Sequence, residues 1–239
     1  MHEFEMPQEI IDRVTARQGR VHCVEGLAPR ETALVVVDMQ NYFMKAGFQS
    51  AAAAAGGIVA NVNRLADMLR ALGGTVIWIQ TEAGAEDEGA GKDGWWTLRE
   101  KYAPERWQKR IDGLSNGGEG HALWAEMDVR PADEMVIKRR YSAFIHGSSN
   151  LEDVLRERGI DTILITGVAT NVCCESTGRD AMMLGFRTLM VADGNATFDD
   201  DAHRASLIGF YSTFGDVQTT DEVMALLRGE SGDVASAAE

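Results

Sequence analysis

The strongest constraint on the fold is a set of short apolar runs that do not alternate. Residues 33–37 read Ala-Leu-Val-Val-Val and residues 75–79 read Thr-Val-Ile-Trp-Ile. Neither run has the every-second-residue polarity of a strand with one wet face. Such runs, rich in β-branched residues and bounded by turn signals, predict strands buried on both faces. Similar runs predict strands at 135–137, 162–165 and 188–191, and a short last strand is predicted at 217–219. Between them the apolar period becomes helical. Ile58, Val62, Leu65, Leu69 and Leu72 share one face of a helix over 56–72, which Gly73-Gly74 stops. Leu151, Val154 and Leu155 mark a helix closed by Gly159, and further helices are predicted over 171–184, 201–211 and 221–227. Buried strands each followed by a helix imply an α/β fold, with a mainly parallel sheet carrying helices on both faces.

The chain has 239 residues and is 45% apolar, enough for one large core. One domain is expected over 31–228. Residues 1–30, punctuated by Pro7, Gly19, Gly26 and Pro29, read as an arm with a short helix at 9–17. Residues 229–239 are small and polar and read as a disordered tail. The segment 83–127 breaks the pattern and holds Trp95, Trp96, Trp107 and Trp124. A long aromatic insertion reads equally as a lid or binding loop and as a subunit contact or cover for a sheet edge. No apolar run approaches the ~20 residues that span a bilayer, and residues 1–20 lack a signal-peptide core. Three cysteines form no disulfide framework, so a reducing cytoplasm is the expected setting. A net charge of −14 disfavours nucleic acid and anionic membrane as partners. A small-molecule substrate remains.

Ligands of parallel sheets bind beyond the carboxyl ends of the strands. Asp38, Lys138 and the turn carrying Cys173 each stand just after a predicted strand, so the topology can bring them to one edge. A thiol in the first turn of a helix sees the positive end of the macrodipole and unpaired N–H groups. Both favour thiolate, and the same N–H groups can hold an oxyanion. The alternative is that Cys173 and Cys174 are ordinary buried apolar residues. None of the five histidines lies in a recognisable motif, which leaves a Cys–His pair with little support. Asp38 can serve as base and Lys138 can stabilise developing negative charge. Alone, each reads as well as a turn former or a solvated charge.

Three stretches together carry a resemblance. Residues 34–43, Leu-Val-Val-Val-Asp-Met-Gln-Asn-Tyr-Phe, resemble the opening motif of the isochorismatase-like cysteine hydrolases. Residues 137–144, Ile-Lys-Arg-Arg-Tyr-Ser-Ala-Phe, resemble their lysine motif, and residues 167–177, Gly-Val-Ala-Thr-Asn-Val-Cys-Cys-Glu-Ser-Thr, their nucleophile motif. Order and spacing match from about 31 to 227. The resemblance implies a three-layer sandwich with a six-stranded, mostly parallel sheet. It implies Asp38 as base, Lys138 as cationic partner and Cys173 as nucleophile. It also implies a cis peptide at Val168–Ala169 that turns the Ala169 N–H toward the site, an oxyanion hole made by the Ala169 and Cys173 N–H groups, and a dimer or tetramer. The family usually has an aliphatic residue where this chain has Cys174. Successive helical residues point ~100° apart, so only one of the two thiols can face the site and Cys174 is expected to pack.

The nicotinamidase branch holds a metal with an Asp and two His, and residues 43–80 contain no His. No metal and no cofactor are therefore expected. The branch that cleaves a vinyl ether lacks the nucleophilic Cys, so C–N hydrolysis through a thioester is favoured. Arg140-Tyr141-Ser142 and the 169–177 run look most like the ureidoacrylate amidohydrolases, with N-carbamoylsarcosine hydrolases as near relatives, and Trp78 and Gln80 fit that group. The tryptophan insertion differs from both. By position, Asn41, Phe43, Gln80, Arg140, Tyr141 and Ser142 are the candidate substrate-binding residues, with Arg140 a candidate carboxylate clamp. The alternatives are another isochorismatase-type hydrolase and a catalytically silent member that binds a metabolite.

Overall fold

The structure, a computed structural model, describes residues 1–83 and 101–230. Trp95 and Trp96, and the tail beyond residue 230, lie outside the described residues. Six strands form one sheet: β1 Thr32–Val37, β2 Thr75–Thr81, β3 Glu134–Lys138, β4 Thr162–Val168, β5 Arg187–Ala196 and β6 Asp216–Gln218. They run in the order β3-β2-β1-β4-β5-β6, and each pairing is parallel. The unbroken apolar runs have the predicted cause, for β1 is buried along its whole length. Leu34 and Val36 join one core, with Leu65 and Leu69 of the helix α3 (Val59–Ala71) and with Val223. Ala33, Val35 and Val37 join the other, with Leu155, Ala181, Leu207 and Phe210. Each such side chain removed from water contributes roughly 1.5–3 kcal/mol, so β1 binds both helical layers to the sheet.

The remaining helices are α1 Gln8–Gln18, α2 Asn41–Met44, α4 Pro104–Leu114, α5 Leu151–Glu157, α6 Glu175–Met183, α7 Asp200–Thr213 and α8 Thr220–Leu227. Two departures from the predicted bounds have a local reason. The predicted strand 188–191 runs on to Ala196. Its pairing with β4 slips between Ile165 and Gly167, and Asn195 Nδ2 spans the slip by donating to the Ile165 carbonyl at 2.8 Å and the Val191 carbonyl at 2.7 Å. The predicted helix 171–184 is two pieces, a π-helical turn Thr170–Cys174 followed by α6.

The first thirty residues lie against the body of the molecule. α1 packs on α7 through Ile10 and Val14. The Val24 N–H donates to Asp216 Oδ2 at 2.9 Å and Gln218 Nε2 donates to the Val24 carbonyl at 2.9 Å. These bonds tie Val24 to the side chains of the edge strand β6. The described part of the tryptophan insertion is bonded over the carboxyl ends of β1 and β2. Gln40 bridges Leu123, Asn41 N–H donates to the Ala122 carbonyl at 2.9 Å, and Trp124 N–H donates to the Met39 carbonyl at 2.8 Å. α4 is tied to the end of β2 by the Ala83 N–H and the Leu114 carbonyl, 3.1 Å. Among the described residues, no helix is long and apolar enough to cross a membrane.

Candidate active site

The strand order reverses between β1 and β4, and a parallel sheet leaves its ligand crevice outside the carboxyl ends at such a point. Asp38 leaves β1 there in the left-handed region, φ 55°, where an aspartate is tolerated better than a branched or bulky residue. Its N–H stays bonded to the Ile79 carbonyl at 3.0 Å. Lys138 ends β3 in register with Thr81 of β2. Cys173 sits in the π-helical turn after β4.

These residues meet. Lys138 Nζ lies 2.8 Å from Asp38 Oδ2. It donates to Thr81 Oγ1 at 2.5 Å, to the Arg140 carbonyl at 3.1 Å and to Cys173 Sγ at 3.5 Å. Thr81 Oγ1 donates in turn to Asp38 Oδ1 at 2.9 Å. The two charged side chains are 1% and 0% exposed. Two charges so deeply buried persist only when paired and hydrogen-bonded. Burial works to lower the Lys138 pKa, but the Asp38 carboxylate and the Cys173 sulfur more than offset it, and the ammonium is held above its ordinary value. The Cys173 thiol is pushed up to about 12, first by burial and then, against the pull of Lys138, by Asp38. This reverses the expectation of a helix-stabilised thiolate. The sulfur lies in a buried π-turn facing a carboxylate, so it rests protonated and must hand a proton to a base before it attacks. Cys174 is fully buried, with Sγ 4.0 Å from the Thr166 carbonyl, and burial raises its pKa well above the ordinary value.

The Val168–Ala169 peptide is cis. The Ala169 carbonyl accepts from the Val172 and Cys174 N–H groups at 3.1 and 3.2 Å, on either side of Cys173.

The other candidates fall into two sets. Asn41 Nδ2 donates to the Glu119 carbonyl and Gln80 Nε2 to the His121 carbonyl. Phe43 packs in the core edge-on to Tyr42, and Trp78 is buried with its Nε1 donating to Asp133 Oδ2. Ser142 Oγ accepts from the Phe144 N–H and the Ser142 carbonyl accepts from Ser148, so this residue shapes its own turn. One Arg140 guanidinium nitrogen donates to the Arg139 carbonyl while the Arg140 carbonyl holds Lys138. Tyr141 belongs to the thiol's surroundings. Its phenol is pushed up first by burial, and the charges of Arg110 and Cys173 both act on it. Sequence reasoning passed over Arg110 and Thr81. Arg110 is half-buried on α4 and its charge acts on both Tyr141 and Cys173. The spacing of Trp107, Ile111 and Leu114, all on the packed side of α4, is the signal that would have found this helix.

The isochorismatase domain matches residues 32–222. The chain is 36% identical over 211 residues to the ureidoacrylate amidohydrolase RutB of Pseudomonas syringae pv. syringae (strain B728a), covering 82% of this chain and 83% of that one. A cysteine hydrolase from Pseudomonas syringae pv. phaseolicola 1448A superposes with a TM-score of 0.75 at 28% identity, over 85% of this chain and 95% of that chain. N-carbamoylsarcosine amidase from Thermoplasma acidophilum superposes with a TM-score of 0.62 at 25% identity, over 80% and 97% of the two chains. A parallel sheet that brings an aspartate, a lysine and a cysteine to its switch point, in a chain matched over most of its length, belongs to the isochorismatase family of hydrolases.

Proposed function

We propose that the protein is a cysteine-dependent amidohydrolase cleaving a C–N bond of a small ureido or carbamoyl acid, ureidoacrylate or a close analogue, through a thioester-type intermediate. The observation that carries this is Lys138 Nζ standing 2.8 Å from Asp38 and 3.5 Å from Cys173 Sγ at the switch point. Asp38 takes the Cys173 proton, which the high thiol pKa makes necessary. The sulfur attacks the carbamoyl carbon, forming an S–C bond and an oxyanion. The Ala169 and Cys173 N–H groups hold that charge, at about 3 kcal/mol per donor in related chemistry. The C–N bond breaks, Asp38 returns the proton to the leaving nitrogen, and water activated by the same carboxylate then cleaves the acyl group from sulfur. The relatives named for ureidoacrylate and N-carbamoylsarcosine support this choice of bond. Arg110 supports an anionic substrate, since it brings positive charge toward the thiol in a protein of net charge −14. The same reading makes the protein a cytoplasmic homo-oligomer, a dimer or tetramer, which light scattering of the purified chain checks.

The test is ammonia release over a panel of ureidoacrylate, N-carbamoylsarcosine, biuret and neutral amides. Wild type should hydrolyse the ureido acids, and Cys173→Ala should bind them without turnover. Arg110→Gln should raise KM about tenfold or more for carboxylate-bearing substrates and little for neutral ones. Wild-type turnover by Cys173→Ala would overturn the mechanism. An Arg110→Gln effect equal on both substrate classes would overturn the anionic assignment.

A further inference from the structure

The turn that carries Cys173 is gripped from behind by groups that the proposed chemistry does not use. The grip begins at the second residue of the chain. His2 is 7% exposed. Its Nε2 lies 3.0 Å from the Thr197 nitrogen and 3.1 Å from the Thr197 carbonyl, and its Nδ1 lies 2.5 Å from Asp200 Oδ1. The His2 ring stacks on the His203 ring at 4.4 Å and 24°, and Phe4 meets His203 edge-on at 5.9 Å. His203, 1% exposed on α7, places Nδ1 2.9 Å from Thr170 Oγ1, the first residue of the π-helical turn. Two neighbours repeat the pattern. Thr197 Oγ1 donates to Asn171 Oδ1 at 2.7 Å. Ser206 Oγ lies 2.7 Å from Glu175 Oε2 and 3.4 Å from the Thr170 carbonyl. Residues 170, 171 and 175 are thus each held from outside the turn, while Cys173 Sγ faces Lys138.

A π-turn has wide, poorly closed hydrogen bonding and depends on its surroundings for its shape. A nucleophile displaced by about 1 Å loses on the order of a hundredfold in rate. We infer that His203, seated by His2, is a positioning residue for the nucleophile turn: its contact with Thr170 fixes the turn that aims Cys173 Sγ between Asp38 and Lys138. The inference rests on the reading of Cys173 as the nucleophile. Among the described residues His203 Nε2 is buried with no hydrogen-bond partner, so the ring serves this contact on one side only. Burial first, and then His2, push its pKa down to about 4, so the ring stays neutral in working conditions.

The experiment compares wild type with Thr170→Val, which keeps the shape and removes the hydroxyl, and Thr170→Ser, which restores it. His2→Ala and Cys173→Ser are run alongside. With ureidoacrylate as substrate, Thr170→Val and His2→Ala should lower kcat about tenfold or more while KM stays within about twofold, and Thr170→Ser should recover most of the rate. Iodoacetamide alkylation of Cys173 at pH 8, followed by peptide mass spectrometry, needs no substrate. Thr170→Val should label at least about fivefold faster, because a loosened turn lifts the sulfur from its buried seat and lets its pKa fall toward that of an ordinary thiol. Wild-type kcat in Thr170→Val, or an unchanged labelling rate, overturns the positioning role even if the melting temperature falls. Retained turnover in Cys173→Ser overturns the nucleophile reading instead, and the alkylation rates then decide the positioning role alone.

Discussion

Thr81 carries no charge, yet its small side chain holds the two charged groups of the site in place. Its hydroxyl accepts from Lys138 and donates to Asp38, so it fixes both partners of a fully buried ion pair. Thr81→Val keeps the shape and leaves a lysine proton and a carboxylate oxygen without partners. This should cost about 1–3 kcal/mol in urea denaturation and lower kcat/KM by about tenfold or more. A variant with unchanged kcat/KM would show that the pair orients itself. The three residues at the centre were legible in sequence because each follows or ends a buried run and sits in a recognisable motif. Thr81 was not, because one threonine at a strand end has no pattern. Asn41, Gln80 and Ser142 read as substrate-binding from their positions alone. A polar side chain at a strand end can aim at substrate or satisfy nearby backbone, and here all three bond to backbone groups.

At the scale of elements, the site depends on β4 passing very close to β1. Gly167 has φ 121°, and a Cβ built on it would stand 2.0 Å from the Val37 carbonyl oxygen. Gly167→Ala therefore combines a disfavoured backbone region with a clash against backbone that cannot rotate away. We expect a loss of more than about 2 kcal/mol in urea denaturation and a larger fall in activity than in Gly185→Ala, whose Cβ would meet open space. Equal effects of the two would remove the close approach from the account. The strands were the most legible elements, since burial on both faces leaves an unbroken apolar run. The π-helical turn was the least legible. Thr170–Cys174 runs directly into α6, and one extra residue in a turn does not disturb a pattern read over several turns.

For the molecule as a whole, acid should be the weak direction. His203 is held neutral to about pH 4 by burial and by His2, whereas an ordinary histidine titrates near 6.5. Between those values the unfolded chain binds a proton that the folded one refuses, so stability rises with pH across the window and is lost as pH falls. The loss approaches roughly 3 kcal/mol from this residue alone by its lower end. His121, lowered by burial, acts in the same direction. Urea midpoints taken from about pH 7 to about pH 4.5 should fall in wild type and fall less in His203→Asn. Parallel profiles for the two proteins would remove His203 from the explanation. The architecture and the meeting of Asp38, Lys138 and Cys173 follow from topology that a sequence can disclose. The placement of Arg110 and the grip on Thr170 follow from long-range packing of α4, α7 and the first residues of the chain, which no local pattern records.

The most direct measurement is peptide-mapped mass spectrometry of protein mixed with ureidoacrylate and quenched in acid during the first turnovers. An acyl adduct on Cys173, absent from Cys174 and Cys23 and absent altogether in Cys173→Ala, is the predicted result. Continued ammonia release with no adduct on Cys173, and equal release by Cys173→Ala, would contradict it.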